Sequence, residues 1–240
     1  MVLEKSGKRV KTHIRYMNKD GKRVPGVTTF IGVLNKPALV PWANNLGLQG
    51  INVKDYVDDK ADIGTLDHEM MFVDLNNLMT DMFPERNLLL EEVDENYVPI
   101  RVKGYYTGLQ IEIAQIGFKK YLDWKERHTI EPIILEKGMV SEKYQYGGTI
   151  DSYCLFDGVP TLIDYKTSKA IWPEYFIQVS AYRQLLIEAG HKVEKCAILR
   201  VGRNELEGFE FCEITPEKLN LSWELFLHCV EIYNLKKKIK

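Results

Sequence analysis

No two of the four cysteines, Cys154, Cys196, Cys212 and Cys229, form a C-x-x-C pair. Structural zinc and iron–sulfur sites are commonly built on such pairs, so neither is expected, and buried free thiols are the plain reading. Long apolar runs are missing too. Every hydrophobic stretch is short and interrupted by charge, which excludes a membrane-spanning helix. The first residues, MVLEKSGKRVK, lack the apolar core of a secretory signal, so the expected compartment is the cytosol. Neither an internal repeat nor a low-complexity linker is present. Net charge is only −2, which argues against a uniformly basic nucleic-acid coat. The charge is nonetheless uneven. Bases crowd the segment from Lys5 to Arg23 against the single acid Asp20, and again at Lys236–Lys238 and Lys240. Acids gather around 55–67 and 91–95.

What is present is ordinary globular chain: 240 residues, 45% hydrophobic and 28% charged. That length predicts a single domain, 1–240, with enough apolar residues for a real core. Three stretches can be told apart within it. Residues 1–52 hold a hairpin over 13–30, turned at Asp20-Gly21, then two short helices; Thr28 or Thr29 is the expected cap of the first, near Phe30 to Leu34, and Pro41 falls in the first turn of the second. Residues 53–130 read as mostly helical. The apolar spacing within Asp62 to Met82 predicts one helix, Pro84 stops it, residues 84–104 read as a mobile loop, and a second helix is expected over 105–127. From 131 to 240 the pattern changes to strands at 133–140, 148–156, 159–166, 195–201 and 208–214, with helices at 172–189 and 216–237. Strands and helices in that order predict an α/β or α+β core.

The stretch TLIDYKTSKA, residues 161–170, carries the chemistry. Acid-x-Lys alone is weak, since Asp20-Gly-Lys22, Asp58-Asp-Lys60 and Asp123-Trp-Lys125 share it. The surroundings of Asp164 make the difference. Asp157-Gly158 is a strong two-residue hairpin signal. A loop of those two residues sets Asp151 directly opposite Asp164, where like charges destabilise a sheet. Either the two carboxylates share a proton or a cation lies between them, and a hard divalent ion such as Mg²⁺ or Mn²⁺ suits oxygen ligands. Lys166 leaves the same strand on the same face as Asp164.

Taken together, EKGMVSEKYQYGGTIDSY (136–153), TLIDYKTSK (161–169) and QVSAYRQLL (178–186) resemble the PD-(D/E)XK nucleases, and within them the RecB-like exonuclease branch. GTLDHEM (64–70) is similar to that branch's G-T-x-x-H-E element, and VPGVTTFIGVLNKP (24–37) to the N-terminal segments of phage-encoded members. The resemblance implies a restriction-endonuclease-like core, a central mixed sheet flanked by helices. It implies that His68, Asp151 and Asp164 bind Mg²⁺ or Mn²⁺ with the carbonyl of Tyr165, and that Lys166 positions the attacking water. Glu136 would serve a second ion or act through water. Gln178 and Tyr182, four residues apart on one helix face, match a Q-x-x-x-Y motif near metal and DNA. Glu142 is read as a surface acid. The four-cysteine cluster spacing of some members is absent, so no iron–sulfur cluster is expected. The activity implied is a DNA exonuclease of a bacterium or phage-infected cell, acting on single strands or DNA ends. Independently of the resemblance, the helical segment 53–130 is expected to arch over the site and to thread a single strand past aromatics such as Tyr105, Tyr106, Phe118 and Trp124. Its partners would be DNA and a replication, recombination or helicase protein. A duplex-end exonuclease, a structure-specific endonuclease and an inactive DNA-binding or docking protein are the alternatives.

Overall fold

The computed structural model describes residues 15–86 and 90–239. The basic run from Lys5 to Lys11 and the residues His13, Ile14 and Lys240 lie outside them. A small hairpin comes first, β1 (Tyr16–Met17) against β2 (Arg23–Val24), with Gly21 supplying the positive φ its turn requires. Helix α1 (Val27–Ile31) starts earlier than the sequence predicts. Its N-cap is Gly26, not Thr28 or Thr29, and no side chain caps it. Helix α2 (Leu39–Leu48) follows with Pro41 in its first turn.

Helix α3 runs from Val53 to Met82, starting nine residues before the expected Asp62. Asn52 explains the early start, since its side chain accepts the amides of Lys54 and Asp55. Helix α4 (Gly108–Lys125) begins later than expected, because Thr107 and Gln110 form a reciprocal capping box. Among the described residues between α3 and α4, several are anchored by side-chain bonds. Arg101 bonds Glu69 and Glu91, Lys103 pairs with Asp94, and Asn77 holds both backbone groups of Glu91.

The remainder builds one five-stranded mixed sheet, β3 (Ile130–Ser141), β4 (Tyr146–Phe156), β5 (Val159–Thr167), β6 (Lys195–Val201) and β7 (Phe209–Glu213), in that spatial order. Only β5 and β6 are parallel, and helix α5 (Pro173–Glu188) makes the crossover. Helix α6 (Pro216–Lys238) closes the chain. Alternation along β5 divides the core. Leu162 packs on one face with α1, α5 and α6, while Ile163 and Tyr165 pack on the other with α3 and α4. The fold is therefore an α+β sheet flanked by helices on both faces, as the strand and helix pattern predicts. Among the described residues no helix is long and apolar enough to cross a membrane.

Phe118 and Trp124 are buried in the α3–α4 core, so they line no passage for a strand. Tyr105 is exposed and Tyr106 partly buried. Cys154, Cys196 and Cys229 are buried free thiols, and Cys212 is half-buried.

Candidate metal centre

The site follows from one turn and two registers. Asp157 and Gly158 both take positive φ, 48° and 79°, as a type I′ turn demands. The turn pairs Phe156 with Val159 and carries the ladder to Ser152–Ile163. Asp151 and Asp164 are next in that register, but the ladder stops short of them. Instead, the Asp151 carboxylate takes the place of a backbone partner: its Oδ2 accepts the Tyr165 amide at 3.0 Å. The expectation of a direct facing pair is corrected to this extent. On the other side of β4, Leu135 pairs with Ser152 and Lys137 with Ile150, which brings Glu136 level with Asp151. Three acids thus share one rung across three strands.

Glu136 stands out on its own strand. Its φ is +45°, while the other positive-φ non-glycine residues among those described, Tyr97, Gln145 and Asp157, lie outside strands. A non-glycine residue held there is strained, and such strain collects at functional sites. Helix α3 supplies the fourth group. His68 Nδ1 lies 3.0 Å from Glu136 Oε1 and its Nε2 lies 3.2 Å from Asp151 Oδ2. The donor atoms of His68, Glu136 and Asp151 all fall within 4.8 Å of one another.

Asp164 is fully buried, and its Oδ2 lies 2.6 Å from the Lys166 ammonium. Its Oδ1 has no hydrogen-bond partner among the described residues. Burial, reinforced by the Asp151 charge and opposed by Lys166, pushes the Asp164 carboxyl up to about 7. Burial also raises Asp151, but His68 and Lys166 outweigh it and hold that carboxyl below its ordinary value. The His68 imidazole is pushed down by burial and up by Asp151 and Glu136, and the carboxylates win, leaving it well above 6.5. Lys166 is likewise lowered by burial and raised more by Asp164 and Asp151. It is a firmly held cation, which suits it to stabilise negative charge and not to remove a proton. Its ammonium also sits 5.2 Å from the centre of the Tyr175 ring.

Gln178 and Tyr182 meet across one turn of α5, where the amide donates to the phenol oxygen at 2.7 Å. Burial, with the nearby charges of Asp151 and Asp164, keeps that phenol protonated. Tyr182 can approach β4 only because residue 148 is glycine: a Cβ there would lie 2.4 Å from the ring. Glu142 lies away from the centre, accepting the Lys19 amide at the β1–β2 hairpin.

The donor set fits a hard divalent ion: one imidazole, nearby carboxylates, and a buried carboxylate oxygen with no partner. A cleft of about 590 Å³ opens onto it, lined by His68, Glu136, Tyr165 and Lys166 together with Lys60 and Arg101. Sequence reasoning missed Lys60, Arg101 and Tyr175. Lys60 had a signal, since it ends an acid-x-Lys triplet on α3, but Arg101 and Tyr175 reach the site through tertiary packing alone. The structure also moves Glu136 from a supporting place to the side of His68 and Asp151.

No protein-family model matches the chain, and no curated protein does. A crystal structure from Eubacterium rectale, provisionally assigned as an exonuclease, aligns with a TM-score of 0.39 at 13% identity over 69% of this chain. The chain spans 64% of that structure's length. So loose a likeness carries neither fold nor chemistry, and both rest on the geometry above.

Proposed function

We propose that this chain is a divalent-metal-dependent deoxyribonuclease, an exonuclease acting on single-stranded DNA or DNA ends. The observation that carries the reading is the meeting of His68, Glu136 and Asp151 beside the buried Asp164–Lys166 pair. The PD-(D/E)XK resemblance of the same residues supports it. His68, Asp151 and Asp164 would hold the ion with the Tyr165 carbonyl, and Glu136 would add a donor or bind substrate through water. When bound, Mg²⁺ or Mn²⁺ supplies Lewis acidity to the scissile phosphate and lowers the pKa of water.

The chain's own groups do the rest. Lys166, a fixed ammonium beside Asp164, holds the attacking water and offsets charge growing on the phosphate. Gln178 and Tyr182 offer neutral donors on the α5 side of the rung. Hydrolysis then leaves a 5′-phosphate and a 3′-hydroxyl, the outcome the resemblance implies. Preference for a single strand is supported by the cleft wall. Lys60 lines the cleft, and its ammonium lies 5.4 Å from the ring of exposed Tyr56, one turn earlier on α3. A cation beside an exposed aromatic ring is the pairing that tracks phosphates and stacks bases. The setting to which the resemblance points is phage or bacterial DNA replication, recombination or repair.

The test compares linear and circular single-stranded DNA with Mg²⁺, Mn²⁺ or EDTA, using the wild type and Lys166→Ala. Metal-dependent loss of the linear strand alone, abolished in the variant, is expected. Loss of the circle too would turn the assignment to an endonuclease. DNA binding with no cleavage under either metal would overturn the enzymatic reading.

A further inference from the structure

Helix α6 has two apolar faces. The inner one packs Leu219, Phe226 and Cys229 into the core against α1 and α5. The outer one carries Leu221, Leu225, His228, Ile232, Leu235 and Ile239, alternately four and three residues apart. That is the a/d spacing of a coiled-coil seam. An ordinary surface helix has one apolar stripe and a polar back. Here the five apolar members of the second stripe are exposed, from 41% at Leu225 to 85% at Ile239. They run about 27 Å along the helix. A continuous exposed stripe of this kind marks an interaction surface.

We infer that α6 pairs with α6 of a second copy, antiparallel, through this seam. The stripe is palindromic in spacing. With the two-fold axis level with residue 230, Leu221 meets the partner's Ile239, Leu225 the partner's Leu235, and His228 the partner's Ile232. Every layer is filled, and the contact is self-complementary, as a C₂ interface must be. The charges toward the two ends of the seam favour the same orientation. The first half of the helix carries Glu217, Lys218 and Glu224, Glu231 lies beside the axis 3.8 Å from His228 of its own helix, and Lys236, Lys237 and Lys238 fill the last turn. Antiparallel pairing brings Glu224 beside the partner's Lys238. A parallel pair would stack three lysines on three lysines and His228 on His228. The His228 layers, one on each side of the axis, are the polar steps that fix the register, as a lone polar seam residue does in coiled coils.

Sedimentation equilibrium over a concentration series reads the association directly. The wild type is expected to be a monomer–dimer equilibrium. Leu225→Glu with Ile232→Glu alters only exposed positions, so the fold stays intact by circular dichroism. The pair should raise the dimer dissociation constant about a hundredfold or more, because it places charge in central layers of the seam. Glu224→Lys should weaken the dimer, and adding Lys238→Glu should restore it. Orientation is tested in a Cys212→Ser background. Leu225→Cys mixed with Leu235→Cys should give a mixed disulfide dimer, whereas Leu225→Cys alone should not cross-link. A wild type monomeric throughout, a dimer indifferent to the double glutamate variant, or efficient cross-linking of Leu225→Cys alone would each overturn the inference.

Discussion

Asp67 offers the sharpest test of the electrostatics around α3. It is fully buried between α3, α4 and the end of β5. Its Oδ2 accepts the Thr167 hydroxyl at 2.6 Å, and its Oδ1 has no hydrogen-bond partner among the described residues. Burial, opposed by Thr167 and by the His68 charge, pushes its carboxyl from 3.8 up to about 7. An acid whose folded pKa is raised binds more protons in the native state between those values. Stability therefore falls as pH rises through that window, and the cost is fully present above it. A shift of about 3 units corresponds to about 4 kcal/mol by pH 8, and to somewhat under half of that at pH 5. Asp67→Asn keeps the shape and removes the charge. Urea unfolding of both proteins in EDTA, from pH 5 to pH 8, is the assay. The variant should gain on the wild type steadily with pH, by about 2–3 kcal/mol across that range. Asp164 titrates near the same pH in both proteins, so the difference profile isolates Asp67. Parallel profiles would refute the reasoning, since they would mean that Asp67 is ionised without cost or neutral throughout.

Two further outcomes follow from packing. Gly148→Ala places a methyl 2.4 Å from the Tyr182 ring, so it should cost about 1–3 kcal/mol of stability, and lower activity by displacing the Gln178–Tyr182 pair. Chemical denaturation and the cleavage assay read the two effects separately. Arg101→Ala unties the segment between α3 and α4 from Glu69 and Glu91. Because the arginine is half exposed, global stability should change by less than about 1 kcal/mol, while limited proteolysis within 90–104 should become faster.

Much of this architecture is legible in the sequence wherever local chemistry decides it. Asp157-Gly158 forces its own turn, and the turn fixes the β4–β5 register as far as Ser152 and Ile163. Gln178 and Tyr182 meet because four residues is one helical turn. Thr107-x-x-Gln110 was equally readable as a capping box, yet the aromatics at 105 and 106 pull a periodicity argument too far upstream. Trp124 and Phe118 show the opposite limit. Aromatic residues on an amphipathic helix look alike whether they stack on a ligand or on a core, and only the packing of α4 on α3 and the sheet decides. The strained backbone of Glu136 has no local signal. Glutamate avoids positive φ, so what holds it there is its surroundings, not its type.

The opening of the sheet at the rung is the part no sequence pattern could carry, and it explains why the site lies where it does. β5 remains paired to β6 through Asp164–Ile198 and on to Thr167–Val201. It is released only from β4, where the Asp151 side chain takes the Tyr165 amide. One edge of β5 is thus held while the other is exchanged for a carboxylate. Asp164 is fixed in depth by a ladder that it does not share with Asp151. A fully zipped hairpin would have pressed the two acids face to face, at the separation where like charges repel most. The exchange keeps both on one rung, gives Asp151 a backbone donor that favours its charge, and leaves Asp164 desolvated with an unpartnered oxygen. That asymmetry, one carboxylate held ionised and the other, beside Lys166, raised toward neutrality by burial, is what the proposed metal site would draw on.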